Sequence, residues 1–560
     1  MIGVVTATAA GRAMAHRLAE AWPGEVTVHS GPVAEQLVTA WRESDVLVCF
    51  LATGATVRLL APLLADKHSD PGVVCVDEAG GHAIALLGGH AGGANALAAR
   101  VADVLGAHPV VTTASDATGG TALDSFGADL GFRLPDRTNL ARVGRAVLDG
   151  SVRLLADATW PVPALPLSDE GPVIAITDRT GVDADLVYRP PSLVVGVGAS
   201  RGAPAAEIAD LIAAGLADAG LARESVCALA TVDLKATEPG IVEVAETNGW
   251  PLRTFPAEDL AGVAVPHPSE VVRAAVGTPS VAEAAALLAA GTGAALVLPK
   301  RIGAMATVAV ARLVPRGRLT IVGLGPGAED LRVPRATAAL RRAAVVVGLD
   351  QYVDQVRHRL RPGTLVVESL LGAEEERART AVELATQGHA VALIGSGDAG
   401  VYAMASPALQ LAGPDVDVEV VPGVTAALAA SALLGAPLGH DHAYLSLSDL
   451  HTPWQVIADR LRACAAADLV LCLYNPRSLR RTAQFDEALA ILAEHRDPGT
   501  PVGIVRDATR AGEAVRHTTL KALAEDPSMV DMRSIVLVGS SRTATVAGRL
   551  VTPREYRWLS

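Results

Sequence analysis

Short runs of Val, Ile and Leu recur along the chain, each bounded by Gly, Pro, Asp or Ser and each followed by a longer stretch with apolar residues at helical spacing. DVLVCFLA, then ATVRLLAPLLAD, then GVVCVDE is one such succession. A continuous apolar run of this length between turn residues reads as a strand buried on both faces, and the intervening amphipathic stretches read as the helices that cover it. The alternation persists from end to end, so the expected class is α/β, multi-domain, with parallel or mixed sheets. The first residues, MIGVVTATAAGRAMAHRLAEAW, predict a strand and then an amphipathic helix, without the basic-then-apolar order of a signal peptide. DLVLCLYNP and SIVLVGSS are too short to span a bilayer. The expectation is a cytoplasmic protein.

Three stretches interrupt the alternation: WPVPALPLSDEGP (160–172), RPPS (189–192) and ARLVPRGRLT (311–320). They divide the chain into residues 1–135, a small middle unit 136–190, a third unit 191–314 and a C-terminal unit 315–560. The 560 residues agree with that number at roughly one domain per ~150 residues. Aromatic content of 3% argues against stacking platforms for single-stranded nucleic acid, and a net charge of -13 disfavours a polyanionic duplex. Five cysteines, an odd number without a C-x-x-C pair, read as free thiols in a reducing compartment.

TIVGLGPG (320–327) poses a sharper question, because Gly323, Gly325 and Ala328 satisfy a dinucleotide fingerprint and Asp350 could be its ribose-binding acid. That fold needs a helix to begin at the glycine loop, where its amides and dipole hold the pyrophosphate. Here Pro326 removes an amide, Glu329 and Asp330 occupy the phosphate position, and the next helix is expected to start only at Pro334. The dinucleotide reading therefore fails on the sequence. Other strands end in small or polar loops: HAVALIGSGDAG, VEVVPGVTAAL with Thr425 able to cap the following helix, VLCLYNPRS, VGIVRDATRAGE and SIVLVGSSR. Such a cleft, lined by backbone amides and carbonyls, suits a flat heteroaromatic group with a ribose.

The set GLGPG, VVGLDQYVD, GSGDAGVYAMASP, VVPGVTAALAASALLGAPLGHDHAYLSLSDLHTPW and YNPRS resembles the tetrapyrrole methylases of corrin synthesis, and among them precorrin-3B C(17)-methyltransferase, over residues 317 to about 545. The resemblance implies a C-terminal tetrapyrrole methylase fold of two α/β subdomains, a homodimer, and S-adenosylmethionine as donor. Residues placed at the donor site by the matching motifs are Leu324, Gly325, Pro326, Gly327, Gly395, Ser396, Gly397, Asp398, Val401, Tyr402, Thr425, Ala426, Tyr474, Asn475, Arg506, Asp507 and Ala508. In-line methyl transfer chiefly requires alignment and exclusion of water, and the accompanying ring contraction requires proton movement. His440, Asp441, His442, Asp449 and His451 are the candidates for that role, the same cluster being also what a solvated polar loop looks like. Carboxylates of a tetrapyrrole substrate would meet Arg477, Arg480, Arg481, Arg506 or Arg510.

In the front half, GGHAGGAN with TTASD, and TVDLKATEPG further on, resemble the cobalt-precorrin-5A hydrolases over residues 1–314. One element departs from the family: a Cys-Arg-Arg-Gly turn is here Ala199-Ser200-Arg201-Gly202. The resemblance implies opening of a δ-lactone with release of acetaldehyde, for which Glu78, His82, His90, Asp116, Lys235 and Glu238 are candidates. No metal is assigned: His82 and His90 are separated by a strand and a turn, and no further ligand has matching spacing. The expectation is a fused enzyme of cobalamin synthesis acting on small-molecule tetrapyrroles, with no nucleic-acid or membrane partner. The alternative is a tetrapyrrole carrier whose front half is not catalytic.

Overall fold

The computed structural model describes residues 1–66, 69–89, 92–112, 121–478 and 481–554. The candidates His90, Asp116 and Arg480 lie outside them. Backbone proximity groups the chain into two compact units, Met1–Pro315 with Arg361–Thr364, and Arg316–Leu360 with Leu365–Ser560.

The first unit holds three sheets. A six-stranded sheet runs in spatial order Val26–Val28, Ile2–Thr6, Val46–Phe50, Gly72–Val76, His82–Leu87, His108–Val110. Its first four strands are parallel and His82–Leu87 runs against Gly72–Val76. GVVCV is buried at every position, the reason its apolar run is continuous and not alternating. The N-terminal strand feeds a helix, Ala9–Ala21, whose start is capped by the Thr8 hydroxyl accepting from the Gly11 amide. A small parallel sheet follows, from Arg153–Ala156, Val173–Ile176 and Leu186–Tyr188.

The last sheet of this unit has the order Leu252–Phe255, Val226–Val232, Leu193–Ala199, Ala306–Arg312, Ala295–Ile302. Its first three strands are parallel, and the stretch LVLPKRIGAMATVAVAR closes it as an antiparallel hairpin. Helix Ala282–Ala290 lies directly on the central strand: a Cβ at Gly196 would fall 1.9 Å from the Ala282 carbonyl oxygen.

The second unit is built on two five-stranded sheets. In the first, Leu365–Ser369, Val345–Leu349, Ala390–Gly395, Gly317–Gly323 and Val416–Val421 are all parallel. In the second, His442–Ser446 and Val470–Tyr474 are parallel, and Ser534–Val538, Pro501–Arg506 and Ala514–Thr519 complete it by antiparallel pairing. Each sheet has its own core: Leu319, Ile321 and Leu393 in one, Leu461, Leu473 and Phe485 in the other. Burying a side chain such as Phe485 contributes about 1.5–3 kcal/mol.

After the glycine turn the chain makes a 3-10 turn, Glu329–Leu331, and the helix begins at Pro334 and runs to Arg342. The glycine loop therefore lacks the helix start that a pyrophosphate needs. Among the described residues no helix is long and apolar enough to cross a membrane.

Candidate functional site

Glycines of the parallel sheet bring three loops of the second unit together backbone to backbone. Gly325 and Gly397 form an antiparallel bridge, with amide-to-carbonyl distances of 3.0 and 2.8 Å, and the Leu324 amide donates to the Gly395 carbonyl at 2.9 Å. Gly323 lies beneath them, where a Cβ would be 2.7 Å from the Gly397 oxygen and 2.9 Å from the Gly423 amide. Only hydrogen fits. Asp398 accepts from the amides of Gly400 (2.8 Å) and Gly423 (3.0 Å), so its carboxylate ties the GSGD loop to the Pro422-Gly423 turn. Arg510 donates to the Pro326 carbonyl and to the Ser396 hydroxyl, both at 2.7 Å. The Thr509 hydroxyl accepts from the Ala328 amide at 3.1 Å.

Backbone strain concentrates in the same region. Tyr402, Asn475, Asp507 and Thr509 have φ of 49, 47, 49 and 63 degrees, a conformation non-glycine residues adopt rarely and at a cost of order 1–3 kcal/mol each. Gly395 behaves oppositely to Gly323: nothing lies within 4 Å of where its Cβ would be.

That space belongs to a cavity of about 1230 Å³ at the carboxyl ends of Val345–Leu349, Ala390–Gly395, His442–Ser446 and Val470–Tyr474. Of the residues expected at the site, Gly395, Ser396, Tyr402, Asn475, Asp449 and His451 line it. Leu324, Gly325, Pro326, Gly327, Gly397, Asp398, Val401, Thr425, Ala426, Tyr474, Arg506, Asp507 and Ala508 do not form its wall. Some of them support it from behind. Thr425 does open its helix, but its hydroxyl is paired with the Tyr474 hydroxyl at 2.6 Å, and it is the tyrosine oxygen that accepts the Ala427 amide at 3.2 Å. Burial pushes the Tyr474 phenol up to about 12. Its ring packs against Tyr402 and Tyr444 at centroid distances of 5.3 and 5.8 Å, and the Tyr402 hydroxyl donates to the Tyr444 carbonyl at 2.8 Å.

The histidine cluster of the sequence is divided by the fold. His440, Asp441 and His442 sit at the amino end of strand His442–Ser446, whereas Asp449 and His451 follow its carboxyl end. Pairing of His442 with Val470 and of Ser446 with Tyr474 sets that direction, and at about 3.3 Å per residue the two ends are ~13 Å apart. His440 and His442 are therefore corrected to positions away from the cavity: residues close in sequence separate when the segment between them is extended.

The expected arginines divide as well: Arg481 lines the cavity, whereas Arg506 and Arg510 do not. Arg481 donates to the carbonyls of Leu447 and Asn475, Arg506 to Asp531 at 2.8 Å, and Arg510 to the two loops named above. Their donors hold the frame. Arg379 and Arg460, which the sequence did not single out, are exposed on the cavity wall without an ion pair or hydrogen bond among the described residues. They come from helices Glu374–Thr386 and Trp454–Ala466, and no local pattern links the two.

In the first unit, Glu238 accepts from Lys235 Nζ (2.8 Å) and from the Gly202 amide (2.6 Å). The lysine, then that amide, hold its carboxyl below the usual glutamate range. This pair fixes the Ala199-Ser200-Arg201-Gly202 turn. Glu78 is exposed, and beside it Asp77 accepts the amides of Ala79, Gly81 and His82, with His82 Nδ1 at 3.3 Å. The two groups belong to different sheets, and among the described residues no hydrogen bond or ion pair joins them. Among the described residues no three His, Cys, Asp or Glu are grouped to hold a metal.

Against known families, residues 318–524 match Tetrapyrrole (Corrin/Porphyrin) Methylases, residues 193–311 match Cobalamin synthesis G C-terminus and residues 35–116 match Cobalamin synthesis G N-terminal. A protein of Salmonella typhimurium named "Probable cobalt-factor III C(17)-methyltransferase" is 44% identical over 241 residues, covering 42% of this chain and 99% of that one. The "Cobalt-precorrin-5A hydrolase" of Priestia megaterium is 33% identical over 316 residues, 52% of this chain and 84% of that one. The chain joins two families, the tetrapyrrole methylases and the cobalamin synthesis G proteins. The "Cobalamin biosynthesis protein CobIJ" of Mycobacterium bovis is 44% identical over 255 residues, 44% of this chain. The chain spans about half of that relative's length, 49%. Each family of the present chain occupies its own stretch of sequence, the G-type stretches within residues 1–315 and the methylase stretch within 316–560.

Proposed function

We propose that residues 315–560 transfer a methyl group from S-adenosylmethionine to C(17) of precorrin-3B or its cobalt form, with ring contraction, and that residues 1–314 hydrolyse the lactone of cobalt-precorrin-5A with release of acetaldehyde. The observation that carries the first part is 44% identity over 99% of a named C(17)-methyltransferase, joined to a large cavity at strand carboxyl ends, where open α/β sheets bind ligands. Identity to a named hydrolase over 84% of its length supports the second.

The residues fit the donor. Gly395 presents a bare Cα to open space, and Ser396, Tyr402 and Asn475 add polar groups to the same wall, which would hold an adenosine and its amino-acid tail. When bound, S-adenosylmethionine supplies a methyl already activated by its sulfonium. The protein's own task is alignment. Arg379 and Arg460 would bind carboxylates of the macrocycle, Leu349, Met404 and Leu445 would exclude water, and Asp449 and His451 would move protons. The resemblance further implies a homodimer through residues 315–560 and a cytoplasmic setting; light scattering of the full chain tests the dimer.

Calorimetric titration of the full chain with S-adenosylhomocysteine is expected to give one site per chain, and incubation with donor and the cobalt substrate a mass gain of one methyl group. Donor binding without any mass gain would replace the enzyme by a tetrapyrrole carrier.

A further inference from the structure

We propose that the base of the hydrolytic half is His267, oriented by the buried carboxylate of Glu283. The assignment rests on reading residues 1–314 as a lactone hydrolase. His267 stands between two prolines in VPHPS, so the φ angles on either side of it are fixed. Its Nδ1 lies 2.8 Å from Glu283 Oε1, and its amide donates to Oε2 of the same residue at 3.2 Å. Glu283 is fully buried, 0% exposed, whereas the imidazole is 54% exposed. This combination fixes the ring by one nitrogen and leaves Nε2 as the free one.

Burial by itself would push the Glu283 carboxyl up, but the Lys300 amide (3.0 Å) and the bonds from His267 outweigh it, and the group is held below the ordinary glutamate range. It also sits in the first turn of helix Ala282–Ala290, where the helix dipole favours an anion. The ammonium of Lys300 donates to the His267 carbonyl at 2.8 Å, which ties the backbone of the histidine to strand Ala295–Ile302.

Position in the fold supports the same reading. The start of helix Ala282–Ala290 covers Gly196 and Gly198 of the central strand Leu193–Ala199, whose next turn is the one held by Glu238 and Lys235. His267, Glu283 and that turn thus share the carboxyl edge of one parallel arrangement, where open sheets bind ligands. The other pairs in this half fit the role less well. Glu238 is already engaged by Lys235 and Gly202, and His82 faces an aspartate that is 38% exposed at 3.3 Å.

In the step assigned, His267 Nε2 takes a proton from water as the water oxygen bonds to the lactone carbonyl carbon. The ring C–O bond then breaks, leaving a carboxyl group, and the imidazolium returns its proton to the departing oxygen, which becomes an alcohol. Acetaldehyde leaves afterwards: the alcohol loses its proton, its C–O bond becomes the aldehyde carbonyl as the C–C bond to the macrocycle breaks, and the electron pair left on the macrocycle takes up a proton. Water is the only co-reactant.

Acetaldehyde release from cobalt-precorrin-5A by the full chain tests the assignment, with S-adenosylhomocysteine binding to the same preparation as the check that the chain is intact. His267→Ala is expected to lose at least about a hundredfold in turnover, and added imidazole to restore part of it. Glu283→Gln is expected to lower kcat with KM unchanged. Undiminished release by His267→Ala, or a loss that imidazole does not recover, overturns the assignment alone. A wild-type chain that binds S-adenosylhomocysteine yet releases no acetaldehyde overturns the hydrolase reading together with it.

Discussion

Two glycine turns in this protein look alike in sequence and do different work. LVVGVGASRG and LTIVGLGPG each end the central region of a five-stranded sheet. In the first, the glycines make room for a helix: a Cβ at Gly196 would meet the Ala282 oxygen at 1.9 Å and the Ala286 amide at 2.8 Å. In the second, Gly323 makes room for two other turns, those of Gly397 and Gly423. The locks differ as well. An ion pair, Lys235 with Glu238, holds the first turn, while around the second the Asp398 carboxylate and the Arg510 guanidinium bond to backbone and hydroxyl groups beside a backbone bridge. Similar glycine spacing therefore reports close backbone approach, and what approaches is decided elsewhere in the chain.

The comparison is broken most directly at Gly196. Gly196→Ala should destabilise the first unit by about 3 kcal/mol or more, because the clash is with helix backbone that cannot rotate away; a denaturation midpoint close to wild type would show that the helix shifts freely. Tyr474→Phe removes the hydroxyl that serves Thr425 and Ala427 and should cost the second unit about 1–2 kcal/mol, read from the same kind of curve. Gly395→Ala sharpens the contrast from the other side. Its methyl meets no protein atom, so stability should be retained while S-adenosylhomocysteine binds about tenfold more weakly, roughly 1.4 kcal/mol. Equal affinity in calorimetry would remove Gly395 from the donor site.

Arg379→Ala and Arg460→Ala should each raise KM for the tetrapyrrole about fivefold with kcat little changed, since solvent weakens an exposed charge-assisted contact. A kcat loss at constant KM would mean that the arginines act on the reacting centre instead. The smallest effect concerns the charged lock. Glu238 is favoured as an anion in the folded state, so its stabilisation is complete above the ordinary glutamate pKa of about 4.3 and fades as pH falls through the lower folded value. Glu238→Gln should therefore reduce the fall in melting temperature of the first unit between about pH 7 and about pH 3. A fall as large as in wild type would assign the acid sensitivity to other carboxylates.

Much of the fold was legible because burial on both faces leaves a local mark. The strands at VLVCF, GVVCV, VVVGL and SIVLV and the helix beginning at Pro334 follow from continuous apolar runs and from the fit of proline to a first helical turn. Motif resemblance likewise points to both families, because their signatures are short and contiguous. The site was legible only in part. Loops with a local signature, such as Gly395-Ser396 and Asn475, line the cavity. The histidine cluster did not stay together, since an extended strand puts His442 and Asp449 at opposite ends.

By itself, then, the sequence determined the α/β class, the two families and the loops from which a cleft could be built, all properties carried by short contiguous segments. Tertiary structure alone decided which side chains face the cavity, which arginines remain unpaired, and that the Asp398 and Tyr474 side chains are engaged in holding the frame. The same holds for His267 and Glu283, sixteen residues apart, whose meeting depends on a loop folding back onto a helix. Hydrogen-bond partners and burial depend on residues brought together by packing, and no local pattern records which ones those are.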